Sequence, residues 1–255
     1  LHTYCNCRTD YNAMKNKISR LFLIIFLPLF AACQLLTPKF INHPQPDLSV
    51  SSDIFYDVGC PAGVCSAESP MAALGCEEIE APSSLLGGLE PSYPIALCII
   101  NPMSEAMLPD TQAELDNGQF IYITGGLFGV YIRYVIHKDG KFILLKTEEE
   151  FRKTYAPIDT TEEALSYTLA LTNLSAYYGL THDPAYKYEV NTIEDTFVVS
   201  ETDGYRLHLY TYQEGGCGPH WISAGDAHLT NEGIIQEIIW EPLFRDPEID
   251  DLCID

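Results

Sequence analysis

The chain has 255 residues, 47% of them hydrophobic and 20% charged, a balance that supports a buried core and argues against wholesale disorder. Its formal net charge is -22, with 14 Lys and Arg against 36 Asp and Glu. A field of that sign repels phosphate backbones and anionic headgroups, so we expect no nucleic-acid partner and no adhesion through a basic patch. Cationic or basic partners are attracted, but only generically.

The first methionine is Met14, and residues 1–13, which hold Cys5 and Cys7, read as upstream sequence outside the functional product. From Met14 the chain carries Lys15, Lys17 and Arg20, then an apolar run from Leu21 to Phe30. That run is short of the roughly 20 residues a spanning helix needs, but fits the apolar core of a signal peptide. Ala31, Ala32 and Cys33 follow. The pattern resembles the bacterial lipoprotein signal peptide, with Phe30-Ala31-Ala32-Cys33 at the position of the lipobox.

The resemblance implies that residues 14–32 are removed and that a lipid is attached to the Cys33 thiol. Acyl chains such as palmitate would then hold the mature chain on the extracytoplasmic side of the cell envelope. Gln34 does not resemble the Asp that retains such proteins at the inner membrane of diderm bacteria. Two or three acyl chains provide the anchoring that one cannot. Losing everything before Cys33 removes four basic residues and one acidic residue, which takes the net charge from -22 to -25. The competing reading is an uncleaved anchor helix with Cys33 as a bystander.

Residues 33–50, with Pro38, Pro44 and Pro46, read as a linker between lipid and fold. Residues 51–112 are rich in Gly, Pro, Ser and Cys, and predict a loop-rich, disulfide-stapled segment with short strands such as Ile95 to Ile100. Six cysteines remain after Cys33: Cys60, Cys65, Cys76, Cys98, Cys217 and Cys253. An even set in an exported chain suggests disulfides. We expect two bridges among the first four cysteines and a Cys217–Cys253 bridge pinning the acidic tail.

Residues 113–255 carry the stronger patterns. Phe120 to Thr124, Val130 to His137 and Phe142 to Leu145 read as strands, the last two joined by an Asp139-Gly140 turn. Thr147 and Glu150 make a capping box that opens a short helix, and a second helix begins at Thr160 or Thr161. Strands follow at about 187–201, 205–213, 221–230 and 233–241. Strand parity places Arg206, His208, Tyr210 and Tyr212 on one face, opposite Tyr205, Leu207 and Leu209. The predicted fold class is α+β: an antiparallel sheet of meanders and hairpins with one or two helices packed on one face, preceded by the stapled segment.

No nucleophile elbow, phosphate loop or zinc-protease motif is present. The candidate site residues are His208, His220 and His228, which converge if the strands around the Gly215-to-Trp221 loop pair locally. They would supply a metal site or a general base, and Cys217 beside His220 would supply a thiolate or a zinc half-knuckle. A structural zinc site wants four ligands, so disulfides are the preferred reading, and we expect no cofactor and no metal. The tail from Asp246 to Asp255 offers clustered carboxylates without calcium-loop spacing, and Tyr210, Tyr212 and Trp221 offer an aromatic face. The leading expectation is a membrane-anchored binding or envelope-interaction module with a protein or small-molecule ligand. The alternative is a small envelope enzyme, metal-dependent or hydrolase-like, built on the three histidines.

Overall fold

In a computed structural model of the chain, the described residues are 37–255, apart from 105, 106, 127, 128, 214, 237 and 255. Residues 14–33, expected to form a signal peptide and lipobox, lie outside them. Among the described residues no helix is long and apolar enough to cross a membrane. Residues from Pro38 onward form one compact unit.

Two antiparallel sheets carry the fold. The first is built on β3 (Ile95–Ile100) and β5 (Val130–Lys138), which pair along the whole of β3. β2 (Glu78–Glu80) lies outside β3, and β4 (Tyr122–Thr124) and β6 (Lys141–Leu145) share the other edge of β5. The second sheet runs β7 (Lys187–Tyr188), β13 (Ile239–Arg245), β12 (Trp221–Thr230), β10 (Gly204–Tyr212) and β9 (Phe197–Glu201). Among the described residues there are also two small ladders. β1 (Lys39–Ile41) pairs in parallel with β8 (Thr192–Glu194), and β11 (Gly216–Cys217) pairs with β14 (Cys253–Ile254).

Among the described residues, three helices longer than a turn, α3 (Pro109–Asp116), α4 (Glu148–Tyr155) and α5 (Thr161–Leu171), join α1 (Asp53–Tyr56) and α2 (Pro70–Ala73). The Thr147 hydroxyl accepts from Glu150 N–H at 3.2 Å, so the N-cap forms, and the Glu150 carboxylate reaches back one residue further to accept from Lys146 N–H at 2.6 Å. At α5, Thr160 accepts from Glu163 N–H and Glu163 from Asp159 N–H. Every residue of α5 from Glu163 to Leu171 is buried, which a helix tolerates only when packed on several sides.

One core explains that burial. Ile95, Tyr134 and Ile136 of the first sheet, Phe151 and Tyr155 of α4, the α5 side chains, and Tyr205, Leu207, Leu209 and Leu229 of the second sheet form a single cluster. The mixed α+β class with antiparallel sheets stands, but α4 and α5 lie between two sheets, which corrects the expectation of one sheet with helices on one face. The reason is visible in the strand alternation: each sheet turns an apolar face toward α5. The opposite face of the first sheet, with Ala96, Cys98, Ile100 and Val135, is covered by Phe55, Cys60, Met71 and Cys76.

Two boundaries drawn from sequence also change. The stretch expected to be a free linker up to residue 50 is built into the fold from Lys39, because its Phe40 and Ile41 pair with Ile193 and Glu194. Downstream of them, the buried Asp195 carboxylate accepts hydrogen bonds from the Asn42 amide and the His43 N–H. The cysteine-rich stretch to residue 112 is not a separate segment, since its β3 is a central strand of the first sheet. The single strand expected over 187–201 breaks into β7, β8 and β9, because Asp195 and Thr196 turn inward to bond the loop at residues 177–180.

The six described cysteines form Cys60–Cys65, Cys76–Cys98 and Cys217–Cys253 disulfides. Arg133 is fully buried beneath the stapled cap, where its Nη1 meets Glu114 of α3 at 3.0 Å and its Nε donates to the Gln119 carbonyl at 2.7 Å. Lys146 closes on the same Glu114 carboxylate. A buried guanidinium needs such partners, and here they fix α3 to the sheet.

Candidate functional site

The outer face of the second sheet gathers the polar side chains that sequence parity assigned outward. Register sets them in rows. Arg206 lies opposite His228 on one side and Val199 on the other; His208 lies opposite Asp226 and Phe197. Asp226 accepts from two neighbours at once, with Oδ1 2.7 Å from His208 Nδ1 and Oδ2 2.8 Å from Arg206 Nη1. Arg206 also donates through Nε to Glu201 at 3.2 Å. Burial by itself would raise the Asp226 carboxyl, but the His208 and Arg206 contacts outweigh it and hold the group below its ordinary range. The bond to Asp226 in turn raises Arg206.

Phe197 organises this face. Its ring stacks on His208 with centroids 5.3 Å apart and planes 6° from parallel. The Arg206 guanidinium sits 5.1 Å from the same ring, and His43 meets it edge-on at 5.5 Å. His43 is itself paired, Nε2 lying 2.8 Å from Glu194 Oε1. Two histidine–carboxylate pairs thus flank one phenyl ring. His43 owes its position to Asp195, which accepts from Gly179 N–H at 2.7 Å, Leu180 N–H at 3.0 Å, and the Asn42 amide and His43 N–H at 3.2 Å. Burial would raise Asp195, yet these donors together lower it. Beside His43 and Phe197 opens a cavity of about 200 Å³ that also meets Glu162 and Tyr178. Burial, with Asp195 nearby, pushes the Tyr178 hydroxyl up to about 12.

His228 stands at the hairpin end of this face. Its Nε2 is 3.4 Å from Asp203 Oδ1 and 3.8 Å from Glu201 Oε2, both beyond hydrogen-bond length, while Nδ1 is buried without a partner among the described residues. The donor atoms of the three residues lie within 4.8 Å of one another, one nitrogen and two oxygens of the kind a divalent transition ion takes. Arg206 already holds the other oxygen of Glu201.

His220 does not join them. It lies just before β12, six residues from Asp226 and eight from His228, which is about 20 and about 26 Å along an extended strand. Its ring is buried, with Nδ1 3.2 Å from the Gln213 carbonyl and Nε2 3.3 Å from that of Leu252. The three-histidine neighbourhood therefore reduces to His208 and His228. The disulfide to Cys253 removes Cys217 as a thiolate nucleophile and as a zinc ligand.

The aromatic residues weighed as a binding face, Tyr210, Tyr212 and Trp221, do not form one that includes Tyr210. Tyr210 is fully buried against Tyr177, its hydroxyl donating to the Glu194 carbonyl, because β1, β8 and the loop before them cover that end of the sheet. Trp221 lies under the Arg245 guanidinium. In the acidic tail, Asp250 pairs with Arg245.

Sequence reasoning missed His43, Glu194, Phe197 and Asp226. Asp226 was within reach: once the hairpin register of β10 and β12 is set, it falls opposite His208. His43 carries no local signal, since a parallel pairing across about 150 residues brings it to the sheet. No family model, curated protein or solved structure matches this chain.

Proposed function

We propose that this protein is an exported lipoprotein, tethered to a cell-envelope membrane through an acylated Cys33, and that its ectodomain is a binding module. The three disulfides support an oxidising compartment, where such bonds persist. The recognition surface is the outer face of the second sheet. The observation that carries this reading is the held state of its groups: Phe197 is flanked by His43, His208 and Arg206, each pinned by a carboxylate. Side chains fixed in advance lose little freedom on binding a ligand. Glu194, Glu201, Asp203 and Asp226 outnumber Arg206 there, which favours a basic partner.

Fractionation of cells expressing the chain from Met14 tests the tether. The protein should partition into detergent extracts of membranes, and Cys33→Ser should release it or leave it unprocessed. Equal partition and processing of both forms would overturn the anchor.

A second reading, a metal-dependent envelope enzyme, is favoured by the Glu201, Asp203 and His228 donor set. It requires a stoichiometric transition metal in protein purified without chelators. Absence of metal from such a preparation, and after zinc and manganese addition, would remove it.

A further inference from the structure

The outer face of the second sheet sets three histidines against carboxylates. His43 lies 2.8 Å from Glu194, His208 2.7 Å from Asp226, and His228 3.4 Å from Asp203 and 3.8 Å from Glu201. They reach one surface from separate parts of the chain: His43 follows β1, while His208 and His228 stand on the paired strands β10 and β12. All three side chains are partly exposed, so solvent protons reach them. Among the described residues Arg206 is the single other cation on these carboxylates, bound to Glu201 and Asp226. Further titratable groups face the histidines from the elements around them. Glu162 of α5 and Tyr178 line the cavity beside His43, the Asp195 carboxylate accepts from the His43 N–H, and Tyr210 meets the His208 ring edge-on.

With the imidazoles neutral, Glu194, Glu201, Asp203, Asp226 and Arg206 together carry a formal charge of -3. Three protonated imidazoles bring that charge to zero. Imidazole is the side chain that ordinarily gains its charge between about pH 8 and 5, a range in which carboxylates ordinarily stay ionised and guanidinium stays charged. Two of the three rings also frame Phe197, His208 by stacking and His43 edge-on. The new charge therefore arises around the ring at the centre of the recognition surface.

We propose that this face recognises its basic partner in a pH-dependent way, holding it while the histidines are neutral and releasing it as pH falls and His43, His208 and His228 gain protons. The inference rests on the basic-partner reading of the same face and adds its regulation. By linkage, a bound cationic partner makes each of these imidazoles harder to protonate.

The test uses the intact chain in nanodiscs of zwitterionic lipid, with 13C-labelled histidine and hexa-arginine as the probe, since guanidinium keeps its charge over the whole range. Affinity at low salt should fall about tenfold or more between about pH 8.5 and 5.5, the combined effect of three unit charges about 8 Å away in a watery setting. Bound hexa-arginine should lower the titration midpoints of the His43, His208 and His228 signals and leave that of His137, on β5 of the first sheet, in place. The triple variant His43→Gln, His208→Gln, His228→Gln should show a flat affinity profile. Binding that perturbs the three signals yet keeps one affinity over the range, or a pH dependence that survives in the triple variant, would overturn the pH dependence and leave the basic-partner reading in place. No binding at about pH 8.5, or binding that leaves the three signals untouched, would overturn both.

Discussion

Phe197 and His208 stack in parallel across β9 and β10, and Asp226 holds the imidazole from the neighbouring strand at 2.7 Å. The stack depends on that carboxylate, which also takes one arm of Arg206. Asp226→Asn should therefore disturb the face more than the fold. These groups are partly exposed and screened, so the stability change should stay below about 1 kcal/mol. The His208 ring signals should lose their ring-current shift, and affinity for a basic probe such as oligolysine should fall. Unchanged His208 signals in a folded Asp226→Asn variant would contradict the assignment.

Asp195 is predicted to control acid stability. Its carboxyl is held low by four donors, so it is ionised in the folded chain at pH values where the unfolded chain protonates it. The stabilisation is present above the ordinary value of 3.8 and is lost as pH falls through the lower folded value. Asp195→Asn should cost about 1–3 kcal/mol near neutral pH, because an amide cannot accept as many bonds as the carboxylate. Denaturant titrations from pH 7 to 2 should show the gap between the two proteins closing at the acid end. A constant gap would mean that the charge is irrelevant.

Much of this architecture was legible in the sequence, and the failures have physical causes. Local signals performed well: the Thr147 and Thr160 caps, the Asp139-Gly140 hairpin, and the strand parity that separates Leu207 from His208. These depend on neighbours a few residues away. What escaped was set by long-range pairing. The parallel contact between Lys39–Ile41 and Thr192–Glu194 turns a proline-bearing stretch into part of the fold, and its partner residues give no local sign of it. Tyr210 alternates with the outward residues as predicted, but β1 and β8 cover its end of the sheet, so parity did not imply exposure. His220 was grouped with His208 and His228 by sequence proximity, while strand length keeps it apart.

The Cys217–Cys253 bridge is predicted to hold the C-terminal tail. It closes a loop spanning 36 residues, and chain-entropy arguments assign such a bridge about 3–4 kcal/mol. His220 adds contacts from both ring nitrogens to carbonyls on the two sides of the bridge. The double variant Cys217→Ser, Cys253→Ser should unfold at lower denaturant concentration by that amount. Hydrogen exchange should rise first in residues 246–254 and leave β10 protected. Protection of the tail equal to that of the parent would refute the role given to the bridge.

Mass spectrometry of the protein from a detergent extract tests directly whether the ectodomain is both lipid-tethered and disulfide-stapled. The mature chain should begin at an acylated Cys33, with Cys60–Cys65, Cys76–Cys98 and Cys217–Cys253 all oxidised. A chain that begins at another residue, or a Cys33 without lipid, would contradict it.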